Sequence, residues 1–138
     1  MLDETVRQQL LDQARRARER AYAPYSHFRV GAAVLTATGE IFSGCNLENA
    51  SYGATICAER VAIFAAVAAG CRDLTALAVI ADTPEPAAPC GLCRQVLAEF
   101  NPDCPVIMAT IAGDWRLTNL NELLPLPFRL PSGESGEA

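Results

Sequence analysis

Lysine is absent from this 138-residue chain, and its eleven basic residues are all arginines. Without a lysine, the chain can form neither a Schiff base with a carbonyl substrate nor the lysine contact of a phosphate-binding P-loop. His27 is the single histidine, so a histidine-rich metal site and the HExxH pair of zinc proteases are excluded as well. The net charge of −5 argues against binding nucleic acid through its phosphates.

Long apolar segments are also missing. The longest unbroken one, Val61 to Ala69, is far shorter than the roughly 20 residues that cross a bilayer. The N-terminus has no signal-peptide core. We therefore expect a cytoplasmic chain that binds no membrane and keeps its thiols reduced. The six cysteines, at 45, 57, 71, 90, 93 and 104, are then interpreted as metal ligands or free thiols rather than as a disulfide framework.

Hydrophobic patterning predicts a single domain over residues 1–130 and a flexible tail over 131–138. The predicted elements are helices at 3–21, 56–69, 91–100 and 119–124, and strands at 28–36, 40–47, 74–81, 105–111 and 114–118. Alternating strands and helices in the second half favour parallel pairing, and the first two strands form an antiparallel hairpin. The predicted fold is α/β, a three-layer α/β/α sandwich with a mixed five-stranded sheet.

The helix predicted over 56–69 is apolar on every side after Arg60. A helix of this kind is buried on all sides, so a second layer or a second subunit has to cover it. The sequence therefore favours self-association of the chain.

Cys90 and Cys93 form a Cys-x-x-Cys motif at the start of the helix predicted over 91–100. The two thiols lie on one face of the first turn, and a helix N-terminus favours thiolates. Taken alone, the motif fits a thioredoxin-like redox pair, half of a structural zinc site, or part of a catalytic one.

Cys57 and Glu59 stand at the start of the preceding predicted helix. Two strand-to-helix junctions can open at the same sheet edge, where Cys57, Cys90 and Cys93 would converge on one zinc ion with an open fourth position. Three protein ligands plus water is the pattern of a catalytic zinc. A carboxylate two residues after a ligand, such as Glu59, is placed to move protons to and from the bound water.

Three thiolates leave a zinc site with a net negative charge, which neighbouring donors have to offset. Arg60 is placed to donate hydrogen bonds to a thiolate, and Arg94 is a second candidate. Two other classes stay open: a structural zinc module closed by Cys45 as the fourth ligand, and a thiol redox protein that uses the Cys-x-x-Cys pair.

Further segments of the sequence indicate which protein family the chain resembles. They are Tyr-Ser-His-Phe-Arg-Val-Gly-Ala-Ala at 25–33, Gly-Cys-Asn-Leu-Glu-Asn-Ala at 44–50, Ser-Tyr at 51–52, Leu-Leu-Pro at 123–125, and Phe128. Together with Cys-Ala-Glu at 57–59 and Pro-Cys-Gly-Leu-Cys at 89–93, they resemble the small homotetrameric cytidine deaminases of the cytidine and deoxycytidylate deaminase family. The resemblance covers residues 20 to 130.

The resemblance implies the cytidine deaminase-like fold and hydrolytic deamination of cytidine and deoxycytidine to uridine and deoxyuridine. Ammonia is released, as in pyrimidine salvage. It implies one Zn²⁺ per chain on Cys57, Cys90 and Cys93, with Glu59 as the catalytic proton shuttle and Arg60 beside the sulfurs. The nearest rivals are deaminases of other small aminopyrimidines, such as the blasticidin S deaminases. A nucleotide deaminase would need a phosphate grip, and no arginine cluster lies near the motifs.

The resemblance also implies the groups that contact the nucleoside. Asn46 and Glu48 are similar to the pair that binds the ribose hydroxyls, Phe28 to the ring that packs on the pyrimidine, and Ala58 to a further substrate contact. The positions that reach a neighbouring subunit's site in the family's homotetramers are Ala50, Tyr52 and Phe128.

Overall fold

The computed structural model describes residues 2–131, so nearly all of the predicted tail, 132–138, lies outside the described residues. Each predicted helix and strand is present. The elements are α1 Glu4–Arg18, β1 Val30–Thr36, β2 Ile41–Cys45, α2 Ala58–Ala68, β3 Leu74–Ala81, α3 Gly91–Phe100, β4 Pro105–Thr110, β5 Trp115–Asn119 and α4 Leu120–Leu123, with a 3-10 turn at Tyr52–Ala54.

The five strands form one sheet in the order β2-β1-β3-β4-β5. Strands β3 and β4 are parallel and the other neighbouring pairs are antiparallel, so the predicted mixed sheet is confirmed. Because β1 is antiparallel to both its neighbours, its first residues lie beside the last residues of β2 and β3. Gly31 pairs with Cys45, and Val30 pairs with Ala81. This edge of the sheet carries the candidate site.

Helices cover both faces of the sheet, as the predicted sandwich requires. Leu10 and Ala14 of α1 pack against Ala33, Ala78 and neighbouring residues of one face. The other face packs against α2 and α3 in a larger apolar cluster. No helix in the part of the chain that the structure describes is long and apolar enough to cross a membrane.

Glycines let two of these helices approach the sheet closely. A Cβ added to Gly44 on β2 would lie 2.7 Å from the Ala62 nitrogen of α2. One added to Gly31 on β1 would lie 1.9 Å from the Ala14 oxygen of α1. Contacts this short leave no room for any side chain at either position, so both helices depend on glycine for their placement.

One face of α2 remains uncovered within a single chain. Ala62, Ile63 and Ala66 are buried, but the side chain of Phe64 is 44% exposed, and Ala65 is exposed beside it. The isolated chain does not bury α2 on all sides, because α2 belongs to an outer layer with sheet on one side only; the remaining face is the part that the sequence assigns to another layer or subunit. An uncovered apolar helix face of this kind is suited to contact with another subunit.

Candidate active site

Two helix N-termini present the predicted ligands to each other. Cys57 is the N-cap of α2 and Cys90 the N-cap of α3, both with extended backbone and neither using its side chain as a cap. The thiols are therefore free to face the site. Cys57 Sγ lies 3.7 Å from Cys90 Sγ, and Cys90 Sγ lies 3.4 Å from the buried Cys93 Sγ.

The three sulfurs fit a tetrahedral zinc ion. All three lie within 4.8 Å of one another, and tetrahedral ligands at a Zn–S distance of about 2.3 Å are about 3.8 Å apart. Across residues 2–131, this group of possible metal ligands comprises three thiols, and Cys45 is not part of it. The arrangement therefore matches an open zinc site better than a closed four-ligand one.

Arg60 donates a hydrogen bond to one of the three thiols, whereas Arg94 does not. Arg60 Nη2 lies 3.3 Å from Cys57 Sγ. Hydrogen bonding from Cys93 and then from Arg60 lowers the pKa of Cys57 to about 5, and the bond to Cys57 raises the pKa of Cys93. The guanidinium of Arg94 donates instead to the carbonyl oxygens of Pro89 and Leu123, each at 2.8 Å. Arg94 thus holds the backbone that leads into Cys90.

Glu59 is a buried carboxyl group in the first turn of α2. Its side chain is 5% exposed and lines the same cavity as Cys57 and Cys90. Burial raises the pKa of Glu59 most, and with a smaller contribution from the negative charge of Cys57 the pKa reaches about 7. A carboxyl group with this pKa exchanges protons readily near neutral pH, which is the property a proton shuttle requires.

The cavity beside these groups has a volume of about 190 Å³. It lies at the sheet edge where β1 begins and β3 ends, with Val30 and Ala81 among its walls. Of the residues that the family resemblance implicates, it brings together Phe28, Asn46, Cys57, Ala58, Glu59 and Cys90. Its walls are mostly apolar around a few polar groups, as in small-molecule sites generally.

Glu48 and Tyr52 line a second, neighbouring hollow rather than this cavity. That hollow has a volume of about 250 Å³, and Thr55 lines both spaces. Ala50 is exposed in the same loop, and the Tyr52 ring is 78% exposed, with one edge contact to Tyr25.

Phe128 lies on the C-terminal segment, outside both spaces, and is 69% exposed. The Gln95 side chain holds its backbone: Gln95 Nε2 donates to the Phe128 oxygen, and Gln95 Oε1 accepts from the Phe128 nitrogen, both at 3.0 Å. Gln95 carries no motif in the sequence that would have indicated this contact.

Asn46 and Glu48 both reach the segment that precedes β1. Asn46 Nδ2 donates to the Phe28 oxygen at 2.7 Å, and Asn46 Oδ1 accepts from the Val30 nitrogen at 2.8 Å. Glu48 accepts from the backbone of Tyr25 and from the backbone and hydroxyl of Ser26. Ser26 is not among the predicted site residues, although a serine in a turn is a recognisable signal for a side-chain bond to the backbone two residues on.

The fold and the three-thiol centre with its buried glutamate define a class of zinc-dependent deaminase. Residues 4–109 match the family model described as the cytidine and deoxycytidylate deaminase zinc-binding region. This chain belongs to that family.

Among its relatives, the cytidine deaminase of Halalkalibacterium halodurans is 52% identical over 88% of this chain and 93% of the relative. The crystal structure of cytidine deaminase from Burkholderia pseudomallei has a TM-score of 0.85 and 51% identity, covering 88% of this chain and 98% of that one. The blasticidin-S deaminase of Bacillus cereus is more distant, 35% identical over 72% of this chain and 76% of the relative.

Proposed function

We propose that this chain catalyses the zinc-dependent hydrolytic deamination of cytidine and deoxycytidine to uridine and deoxyuridine, with release of ammonia, in pyrimidine salvage. The observation that carries the proposal is the buried carboxyl of Glu59 on the wall of a cavity that Cys57 and Cys90 of the three-thiol cluster also line. Such a site supplies a metal position and a proton carrier at the same place.

Cys57, Cys90 and Cys93 would hold one zinc ion per chain. When bound, zinc supplies a water of lowered pKa at the cavity wall. The Glu59 carboxylate would take a proton from the attacking water and deliver it to the ring nitrogen N3, which prepares C4 to bond to the water oxygen. Glu59 would then take the proton of the hydroxyl now on C4 and pass it to the amino group, so that the C4–O double bond forms, the C4–N bond breaks and ammonia leaves.

The polar side chains that follow β2 support recognition of a ribose. The side-chain amide of Asn46 uses one of its two N–H groups and one of two acceptor positions on the protein, so each side has capacity left. Glu48 Oε1 accepts two backbone hydrogen bonds, but Oε2 accepts only that of the Ser26 hydroxyl. A diol, which both donates and accepts, matches this spare capacity. Binding the sugar would hold C4 beside the reacting water.

We also propose that the working enzyme is a homotetramer whose sites are shared between subunits. The uncovered apolar face of α2 and the exposed rings of Tyr52 and Phe128 support this, because large apolar groups at a surface mark contact sites. Ala50 and Tyr52 lie on a loop, a placement that allows a group to reach a neighbour. A cytoplasmic location, where the ligand thiols stay reduced, is part of the proposal.

The deciding experiment measures zinc content and ammonia release on the purified chain. We expect one zinc per chain and ammonia from cytidine and deoxycytidine, with much less from blasticidin S or cytidine 5′-phosphate. Zinc without any ammonia release would support a structural metal module. Thiol–disulfide exchange without zinc would support a redox protein. Either result would contradict the proposed function.

A further inference from the structure

The Glu48 carboxylate accepts hydrogen bonds from the turn that precedes β1. Glu48 Oε1 accepts from the backbone nitrogens of Tyr25 and Ser26, at 2.9 and 3.2 Å. Glu48 Oε2 accepts from the Ser26 hydroxyl. These bonds lower the pKa of Glu48, the bond from the Ser26 hydroxyl most of all. The carboxylate is thereby held in one orientation by the backbone of a segment 22 residues earlier in the chain.

The Ser26 hydroxyl makes a second bond, to the backbone of Phe28. Ser26 Oγ accepts from the Phe28 nitrogen at 3.0 Å, while Asn46 Nδ2 donates to the Phe28 oxygen at 2.7 Å. Both polar backbone groups of Phe28 are therefore fixed by side chains. Phe28 lines the same cavity as Cys57, so these two contacts set the backbone from which its ring extends.

The residue inside the turn adopts an unfavourable backbone conformation. His27 has φ of +60°, in the left-handed region that non-glycine residues seldom occupy. Its nitrogen donates to the Ala23 oxygen at 2.9 Å. A backbone of this kind persists where surrounding contacts hold it, so the turn depends on the bonds on either side of His27.

We infer that Ser26 is a positioning residue that links the sugar-binding carboxylate Glu48 to the ring of Phe28. The inference rests on the proposed function, which assigns the sugar to Glu48 and the pyrimidine to Phe28. The link requires one group that donates to a carboxylate and accepts from an amide at the same time. A hydroxyl does both, whereas alanine does neither.

A consequence for specificity follows from this geometry. Without the Ser26 hydroxyl, Glu48 loses the bond that fixes Oε2, the oxygen with capacity left for the substrate. The affinity for substrate therefore decreases most for nucleosides that carry ribose hydroxyls. The ring contact through Phe28 is weakened for all nucleosides alike.

The test compares Ser26→Ala with Ser26→Thr, which keeps a hydroxyl, and with Ser43→Ala, the same change in a half-buried serine of β2. For Ser26→Ala we expect kcat/KM for cytidine to fall by about 10- to 100-fold, the range for one charge-assisted hydrogen bond, mainly through KM. The fall for 2′,3′-dideoxycytidine should be clearly smaller. Ser26→Thr should keep most of the activity, and the zinc content of Ser26→Ala should match that of Ser43→Ala.

A double-mutant cycle with Glu48→Ala isolates the link. Once Glu48 is absent, Ser26→Ala should raise KM for cytidine less than it does in the parent chain, because only the contribution through Phe28 remains to be lost. Three results would each overturn the inference. The first is that the rises in KM from the two substitutions add in full, and the second is that kcat/KM falls equally for cytidine and dideoxycytidine. The third is a Ser26→Ala variant as active as Ser43→Ala.

Amide hydrogen exchange provides a readout that needs no activity. The Phe28 amide should exchange faster in Ser26→Ala than in the parent chain, while amides of β3 keep their protection. If the parent chain released no ammonia from cytidine, the proposed function would fail, yet the exchange experiment would still decide whether Ser26 holds Phe28. Unchanged exchange at Phe28 would overturn the positioning role.

Discussion

Replacing Gly44 with alanine should displace the helix that carries the reaction centre. The new Cβ would lie 2.7 Å from the backbone nitrogen of Ala62 and 2.8 Å from the side chain of Val61. An ordinary van der Waals contact begins at 3.4 Å, so α2 has to retreat by about 0.7 Å. The obstructing nitrogen belongs to the helix backbone, and no rotation of a side chain can relieve that contact.

The displacement has a cost in stability and in catalysis. Overpacking of this kind costs about 1–3 kcal/mol, which for a chain of this length corresponds to a fall in Tm of about 3–12 °C. Helix α2 begins directly after Cys57 and carries Glu59 in its first turn. A shift of this size exceeds the about 0.5 Å within which reacting groups must be held, so kcat/KM should fall by about tenfold or more.

Thermal unfolding, metal analysis and ammonia release from cytidine measure these effects. Gly53→Ala is the matched control for stability, because its new Cβ meets no atom within 4 Å and its φ is ordinary. A Gly44→Ala variant with the Tm of Gly53→Ala and the kcat/KM of the parent chain would refute the reasoning. It would mean that α2 does not depend on the close approach at Gly44.

Three other outcomes are expected. Glu59→Gln should retain zinc and lose turnover by at least the about 10²- to 10⁴-fold typical of a general acid–base group; turnover near that of the parent chain would contradict its role. Alanine replacements of the cysteines outside the metal cluster should each leave one zinc per chain, and loss of zinc from the Cys45 variant would favour a closed site. These cysteines are Cys45, Cys71 and Cys104. Mixing inactive Glu59→Gln chains with inactive Tyr52→Ala chains should restore part of the activity if subunits share sites, and a fully active monomer in light scattering would contradict sharing.

Local sequence signals are sufficient to predict the bounds of elements that are flanked by clear helix- or strand-terminating residues. The strand at 74–81 and the helix at 91–100 were predicted to the residue. The strand is a nearly continuous apolar run between charged residues, and the helix lies between Pro89 and the pair Asn101-Pro102. Proline and glycine near these ends fix the boundaries through backbone chemistry alone.

Boundaries set by distant contacts were predicted less well. The helix predicted from residue 56 begins at Ala58, because Ile56 pairs with Leu47 in an isolated bridge and Cys57 stays extended. No local pattern around residue 56 indicates that pairing. The same extended backbone turns the Cys57 thiol toward Cys90. The later start of the helix, at Ala58 instead of residue 56, is therefore needed to form the site.

The same distinction applies to the site residues: placements set by nearby residues could be predicted, and those set by contacts distant in the chain could not. Cys57 and Cys90 occupy junctions whose position follows from element order, and their convergence could be predicted. The separation of Asn46 and Glu48 between two hollows could not be, since it depends on the turn at 25–28 folding back onto Glu48. Arg94 was only a second candidate donor to the thiolates, and its actual partners could not be predicted for a related reason: they are backbone carbonyls, including that of Leu123, 29 residues away.

The order of the strands explains why metal ligands and substrate groups come from different kinds of structure. The chain leaves β2 and β3 at the edge where β1 begins, and the two connections that follow end at helix N-termini bearing Cys57 and Cys90. Those ligands are fixed by regular helices packed on the sheet. Phe28 and Glu48 lie instead in irregular segments held by side-chain bonds to backbone, with Ser26 at their junction. Changes in these segments should therefore alter which nucleoside is accepted while the metal centre stays intact.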